Sequence, residues 1–132
     1  MEVHKLNVSD YQMLRNTTDW HPLSDDQVEE ALQRDLFSIC VHAEDGAIGM
    51  GRVVGDGAIY FYVQDVVVHP KYKGKGIGKQ ILAGIEEFLD RTVKDYAFIG
   101  LMAAQNVDGF YHQFGYKKRA DDSPGMYKVI TK

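Results

Sequence analysis

Apolar positions along the chain recur with two periods, and the changes of period mark its elements. Val3, Leu6 and Val8 alternate weakly and predict a first strand over residues 2–8. Ser9-Asp10 reads as the N-cap of a short helix carrying Tyr11, Met13 and Leu14. Residues 16–23 read as a loop. Ser24 then opens a second helix, with Gln27 three residues on to complete a capping box and Val28, Ala31, Leu32 and Leu36 as its apolar stripe. The pattern turns to strands at 37–43 and 47–54, joined by a turn at Glu44-Asp45-Gly46. A second turn at Gly55-Asp56-Gly57 leads into a long aromatic and β-branched strand over 58–68.

Helical spacing returns with Ile77, Ile81, Leu82, Ile85, Phe88 and Leu89, which predict a helix from Gly78 to about Arg91. Residues 97–103 form another apolar strand. A helix-sized crossover separates it from 58–68, so parallel pairing is expected. A short helix over 107–114 stops at Gly115, and two closing strands follow at 116–119 and 125–130. The order predicts an α+β protein, three-layered in the manner of α/β folds. Its central sheet is mixed and mostly antiparallel, with about six to seven strands, one parallel splayed pair and flanking helices. Residues 1–132 make one domain, too small for two cores.

The most informative stretch is Val66 to Gln80. Val66, Val67 and Val68 end a strand, and Pro70, which has no N–H, ends the ladder. Gly74, Gly76 and Gly78 then alternate ahead of the helix. Strand, glycine loop and helix N-terminus together cradle phosphate, because glycines admit an anion to free amides. Charge changes the picture in the same direction. The chain is net acidic, with 15 Lys and Arg against 19 Asp and Glu, yet residues 66–85 hold no acid and four lysines, Lys71, Lys73, Lys75 and Lys79. A cationic island on an acidic chain points to a polyanionic ligand. The dinucleotide fingerprint fails at Lys79 and the P-loop pattern fails at Lys73, where each needs Gly.

The pattern V-x-P-x-x-(Q/R)-x-x-G-x-(G/A) of the GNAT acetyltransferases does fit, at Val68, Pro70, Lys73, Gly76 and Gly78. Lys73 replaces the usual Gln or Arg at a position that acts through its main chain. A second motif, Phe110, Tyr111, Gly115 and Tyr116, is similar to the F-Y-x-x-x-G-F/Y run of the same family. Gly125-Met126-Tyr127 resembles its small single-domain branch, which includes aralkylamine-type enzymes. The resemblance implies the acyl-CoA N-acyltransferase fold and acetyl-CoA as co-substrate, with no metal. It implies that coenzyme A pairs its pantetheine arm with the main chain of Val66–Val68. The pyrophosphate would lie on the amides of Lys73, Gly74, Lys75, Gly76, Ile77, Gly78 and Lys79.

Tyr111 would be the general acid, since a thiolate with a pKa of about 8.5 leaves more easily when protonated. Asn106 would hydrogen-bond the coenzyme's amides, or else cap a helix. An amine with a pKa of about 10 must lose a proton before it attacks. Asp65 is the first candidate for that base, directly or through water, with pairing to Arg52 as the plainer use of its charge. His21 and His112 are alternatives, and His69 reads as structural. Trp20, Tyr62 and Tyr127, with Tyr60 and Tyr116, would line an aromatic pocket for an amine.

The expected reaction is acetyl transfer to a primary amine of a small molecule. The alternatives are a non-catalytic acyl-CoA-binding or regulatory domain and an acetyltransferase of protein lysines or N-termini. The net charge of −4 argues against nucleic-acid binding. No apolar run approaches membrane-span length, and the first residues lack an apolar leader core, so a cytoplasmic protein is expected. Cys40, the single cysteine, lies in a strand-like run and reads as a core thiol. A homodimer is expected by resemblance alone.

Overall fold

The computed structural model describes residues 2–104 and 107–132. Two compact units emerge, Met1–Leu101 and Met102–Lys132.

In the first unit, Asn7 opens α1 (Val8–Arg15) by accepting from the Asp10 amide at 2.9 Å. The cap therefore lies two residues before Ser9, and the strand ahead of it, β1, shrinks to Glu2–His4. Ser24 caps α2 (Asp25–Arg34) as expected, accepting from the Gln27 amide at 3.2 Å. Then come β2 (Phe37–Ala43), β3 (Gly46–Gly55) and β4 (Tyr60–Val68), each antiparallel to its neighbour. Asp56 builds the turn before β4, accepting from the amides of Ala58, Ile59 and Tyr60. Next are α3 (Ile77–Thr92) and β5 (Phe98–Gly100). One sheet holds these strands in the order β1-β2-β3-β4-β5, with β4 and β5 parallel.

Both sheet faces are covered, which is why most of β3 is buried. On one face Leu6, Tyr11, Leu14, Val28 and Leu32 pack with Cys40, Met50 and Val67. On the other, α3 buries Ile77, Ile81, Leu82, Ile85 and Leu89. Each such side chain contributes about 1.5–3 kcal/mol when fully buried. Small residues bring that helix close. A Cβ on Gly49 would lie 2.8 Å from Ile77 Cγ2, and one on Gly51 would lie 2.7 Å from Ile81 Cγ2. The seat of α3 is therefore cut into β3.

The second unit holds α4 (Asp108–His112), a five-residue helix, and Gly115 ends its last turn at φ 91°. The rings of Phe110, Phe114 and Tyr116 stand edge-on to one another or to Tyr111. Here the expectation needs correction. Residues 116–119 and 125–130 form no strands, so the sheet has five strands among the described residues instead of six or seven. Lys117, Lys118 and Arg119 leave the first stretch no apolar face. In the second, the paired Met126-Tyr127 and Val129-Ile130 do not alternate, and all four are exposed. The strand expected at 97–103 is likewise limited to three residues.

Candidate functional site

The loop between β4 and α3 is built to leave amides open. The His69 amide bonds Ile48 O at 2.8 Å, which ties the end of β4 to β3. His69 Nδ1 accepts from the Lys71 amide at 3.1 Å and caps a short 3-10 turn, Pro70–Tyr72. Gly74 and Gly76 follow with φ of 79° and 81°. No atom of the described residues lies within 4 Å of where a Cβ on either would project, so both are glycine for their backbone angle, with open space in front among those residues. Gly76 is also the N-cap of α3 and offers no side-chain oxygen to the first turn. That turn, Ile77, Gly78 and Lys79, therefore directs amides and the positive end of a 16-residue helix outward. Ile77 is buried and fixes the turn to the sheet, while Lys71, Lys73, Lys75 and Lys79 are exposed around it.

Beside the loop the sheet opens. Parallel pairing of β4 with β5 runs from Tyr60 opposite Phe98 to Tyr62 opposite Gly100, and stops there. β4 continues to Val68, so its edge from Val63 onward has no strand partner on that side among the described residues. Such an edge offers main-chain groups to an extended ligand.

A bulge lies within the same stretch. Met50 faces Val67 and Arg52 faces Gln64, so Asp65 and Val66 share the place opposite Gly51. Asp65 takes a left-handed φ of 56° there, and its carboxylate is engaged on several sides. Oδ2 accepts from Arg52 Nη1 at 2.9 Å and from the Tyr11 hydroxyl at 3.1 Å. Oδ1 lies 3.7 Å from Arg15 Nη1. Arg52 is itself buried and also donates to Asp35 Oδ2 at 3.3 Å and Ala31 O at 3.1 Å. Arg15 donates to the Tyr11 hydroxyl at 2.9 Å and to His21 O at 2.9 Å. Asp65 thus occupies the plainer of its two expected uses, a partner of Arg52. Tyr11, Arg15 and Asp35 were not anticipated around it. The available signal was a carboxylate embedded in an apolar strand, with Tyr11 and Arg15 one turn apart on α1.

The remaining candidates belong to both units. Tyr62 stands where the parallel pairing ends, its hydroxyl buried with no partner among the described residues; burial pushes this phenol above its ordinary pKa. Trp20 lies in the loop after α1, partly exposed, with the Arg15 guanidinium 5.3 Å from its ring centroid. In the second unit Tyr111 is buried, and burial raises its pKa. Tyr127 is 80% exposed. His21 and His112 are exposed. Asn106 lies outside the described residues. Cys40 is fully buried, and burial pushes its thiol up to about 12, which removes it as a nucleophile.

Comparison with known proteins identifies the family and the fold. Residues 35–118 match the model of an acetyltransferase (GNAT) domain. An uncharacterized N-acetyltransferase of Prochlorococcus marinus is 28% identical over 121 residues, 87% of this chain and 65% of that protein. A histone acetyltransferase of Glycine max is 29% identical over 92% of this chain, but the match spans only 57% of that protein. The chain thus spans roughly two thirds or less of these curated relatives. A crystal structure of a probable acetyltransferase from meticillin-resistant Staphylococcus aureus superposes with a TM-score of 0.89 at 30% identity and covers 98% of both chains.

Proposed function

The chain belongs to the GNAT acetyltransferase family, and from that premise we propose that it transfers an acetyl group from acetyl-CoA to a primary amine of a small molecule. The observation that carries the reading is the uncapped N-terminus of α3 at Gly76, beside an unpaired β4 edge. The pyrophosphate fits the amides from Lys73 to Lys79, where the space in front of Gly74 and Gly76 is open. The pantetheine arm adds to the edge at Val66–Val68 like a further strand. Asn106 hydrogen-bonds the coenzyme's amides.

The amine nitrogen attacks the thioester carbonyl, the carbon–sulfur bond breaks, and Tyr111 gives its proton to the leaving thiolate. Two bonds already converge on Asp65 Oδ2, so we assign Asp65 the task of holding the β4 bulge, with the amine's proton passing to water. The acetyl donor is already activated, and positioning supplies much of the rate. Trp20, Tyr62 and Tyr127 contact the acceptor. Cytoplasmic residence and a homodimer belong to the same proposal, the second checked by light scattering.

A second reading, acetylation of a protein amine, draws support from the similarity to the Glycine max histone acetyltransferase. The test is release of free thiol from acetyl-CoA with aryl, alkyl and polyamine acceptors, run beside lysine peptides. Turnover confined to the peptides would replace the first reading with the second. Turnover with neither, despite coenzyme binding, would leave a non-catalytic acyl-CoA-binding domain.

A further inference from the structure

A second cluster of reactive side chains lies on the sheet face that carries α1. Cys40 and His42 alternate along β2 and so share that face, and Asp10 reaches them from the first turn of α1. His42 Nε2 stands 2.9 Å from Asp10 Oδ2. One ligand atom from each of Asp10, Cys40 and His42 falls within 4.8 Å of the others. His42 Nδ1 is buried without a partner among the described residues, so the bond to Asp10 leaves the ring unsatisfied. His4, opposite Cys40 in the β1–β2 register, stands edge-on to His42 with ring centroids 4.8 Å apart.

We propose that Asp10, Cys40 and His42 bind a thiophilic divalent cation of the zinc class. Tetrahedral zinc, with bonds of about 2.0–2.3 Å, sets its donors roughly 3.3–3.7 Å apart, so the three groups close by about 1 Å through side-chain rotation. Sulfur with imidazole selects zinc over magnesium or calcium, which take oxygen. A bound zinc ion deprotonates a thiol outright. The thiolate and the Asp10 carboxylate then balance two positive charges, so no net charge is left in a partly dry site. The side chains of Asp10 and His42 are 21% and 22% exposed and give the ion an entry path, while Cys40 forms the closed floor. Water or His4 completes the fourth position. The cation ties β2 to α1 and takes no part in acetyl transfer, for which no metal was expected.

Cobalt(II) tests this without any activity assay. Cys40 is the single cysteine of the chain, so a thiolate-to-cobalt charge-transfer band reports this site alone, whereas five histidines make bare cobalt binding unspecific. The expected result is one ion per chain by native mass spectrometry, with that band at full height at one equivalent and displaced by zinc. Cys40→Ser should remove the band and weaken zinc binding by more than the ~10–100-fold that loss of an outer-shell partner costs. Asp10→Asn, a partly exposed change that keeps the core intact, should weaken zinc at least as much while the band persists. No binding by the wild-type protein, binding without the band, or unchanged zinc affinity in Asp10→Asn would each overturn the site.

Discussion

Replacing Asp65 by Asn separates charge from shape. The backbone at φ 56° suits Asn as well as Asp, so the turn survives. What changes is the charge that Arg52, Tyr11 and Arg15 face. A hydrogen bond to a charged group is worth ~1.5–3 kcal/mol against ~0.5–1.5 for a neutral one. The two bonds to Oδ2 therefore lose about 1 kcal/mol each, and the longer Arg15 pair adds at most ~1 kcal/mol. The ~3–5 kcal/mol of a fully broken buried pair is not reached, because Arg52 keeps Asp35 and Ala31 O. The sum is ~2–3 kcal/mol, which for a chain of this length lowers Tm by roughly 6–12 °C. Calorimetry measures that shift, and the rate against pH is recorded on the same variant. The expected outcome is a clear loss of Tm with the alkaline-rising limb unchanged in form. An unshifted Tm would show that the network holds nothing, and a flattened limb would restore Asp65 as the general base.

Further perturbations test the loop, the acid, the helix seat and the buried phenols. Tyr111→Phe should lower kcat by ~10²-fold or more with acetyl-CoA affinity kept; an unchanged kcat would remove Tyr111 as the acid. Gly76→Asp places a Cβ at φ 81°, a strain of about 1–2 kcal/mol, and sets a negative charge before the loop. The fold should persist while calorimetry finds no coenzyme binding, and retained binding would refute the phosphate assignment. Gly51→Ala puts a Cβ 2.7 Å from Ile81 Cγ2 and should cost ~1–3 kcal/mol in urea unfolding; an unmoved midpoint would contradict the close seat of α3. Burial raises the Tyr11 and Tyr111 phenols above 10.0. Above that pH the unfolded chain loses these protons first, so the folded state binds more of them and stability falls as pH rises. Tm should hold up to about pH 10 and then drop, less steeply in Tyr111→Phe; equal slopes in the two proteins would refute the shift at Tyr111.

What the sequence disclosed depended on how far apart the cooperating residues lie. The Ser24 cap, the Gly46 turn and the α3 stripe are set by neighbours within a few positions, and they form where the pattern placed them. The glycine turn between Gly74 and Gly76 was legible for the same reason, since its shape needs only its own glycines and the helix behind it. That 116–119 and 125–130 form no strands was not legible, because a strand exists only through partners that a local pattern cannot supply. Asp65 shows the limit most clearly. Its place in an apolar strand marked it as unusual, but its partners are Arg52, 13 residues away, and Tyr11, 54 away. No local pattern distinguishes a base from the anchor of such a network.

The glycines of β3 act beyond their own strand. Gly49 and Gly51 lie inside a strand, where glycine ordinarily weakens the pairing. In the fold they let Ile77 and Ile81 settle against the sheet, and Ile77 is the first residue of α3. A side chain at position 49 would push on Ile77 and so on the helical turn whose amides face the loop. The seat that stabilises α3 is therefore also what aims its N-terminus. Gly49→Ala, with its Cβ 2.8 Å from Ile77 Cγ2, should weaken acetyl-CoA binding more than Gly51→Ala does, although neither residue lies in the loop. Calorimetric titration of the two variants makes that comparison, and equal affinities would separate the seat from the site.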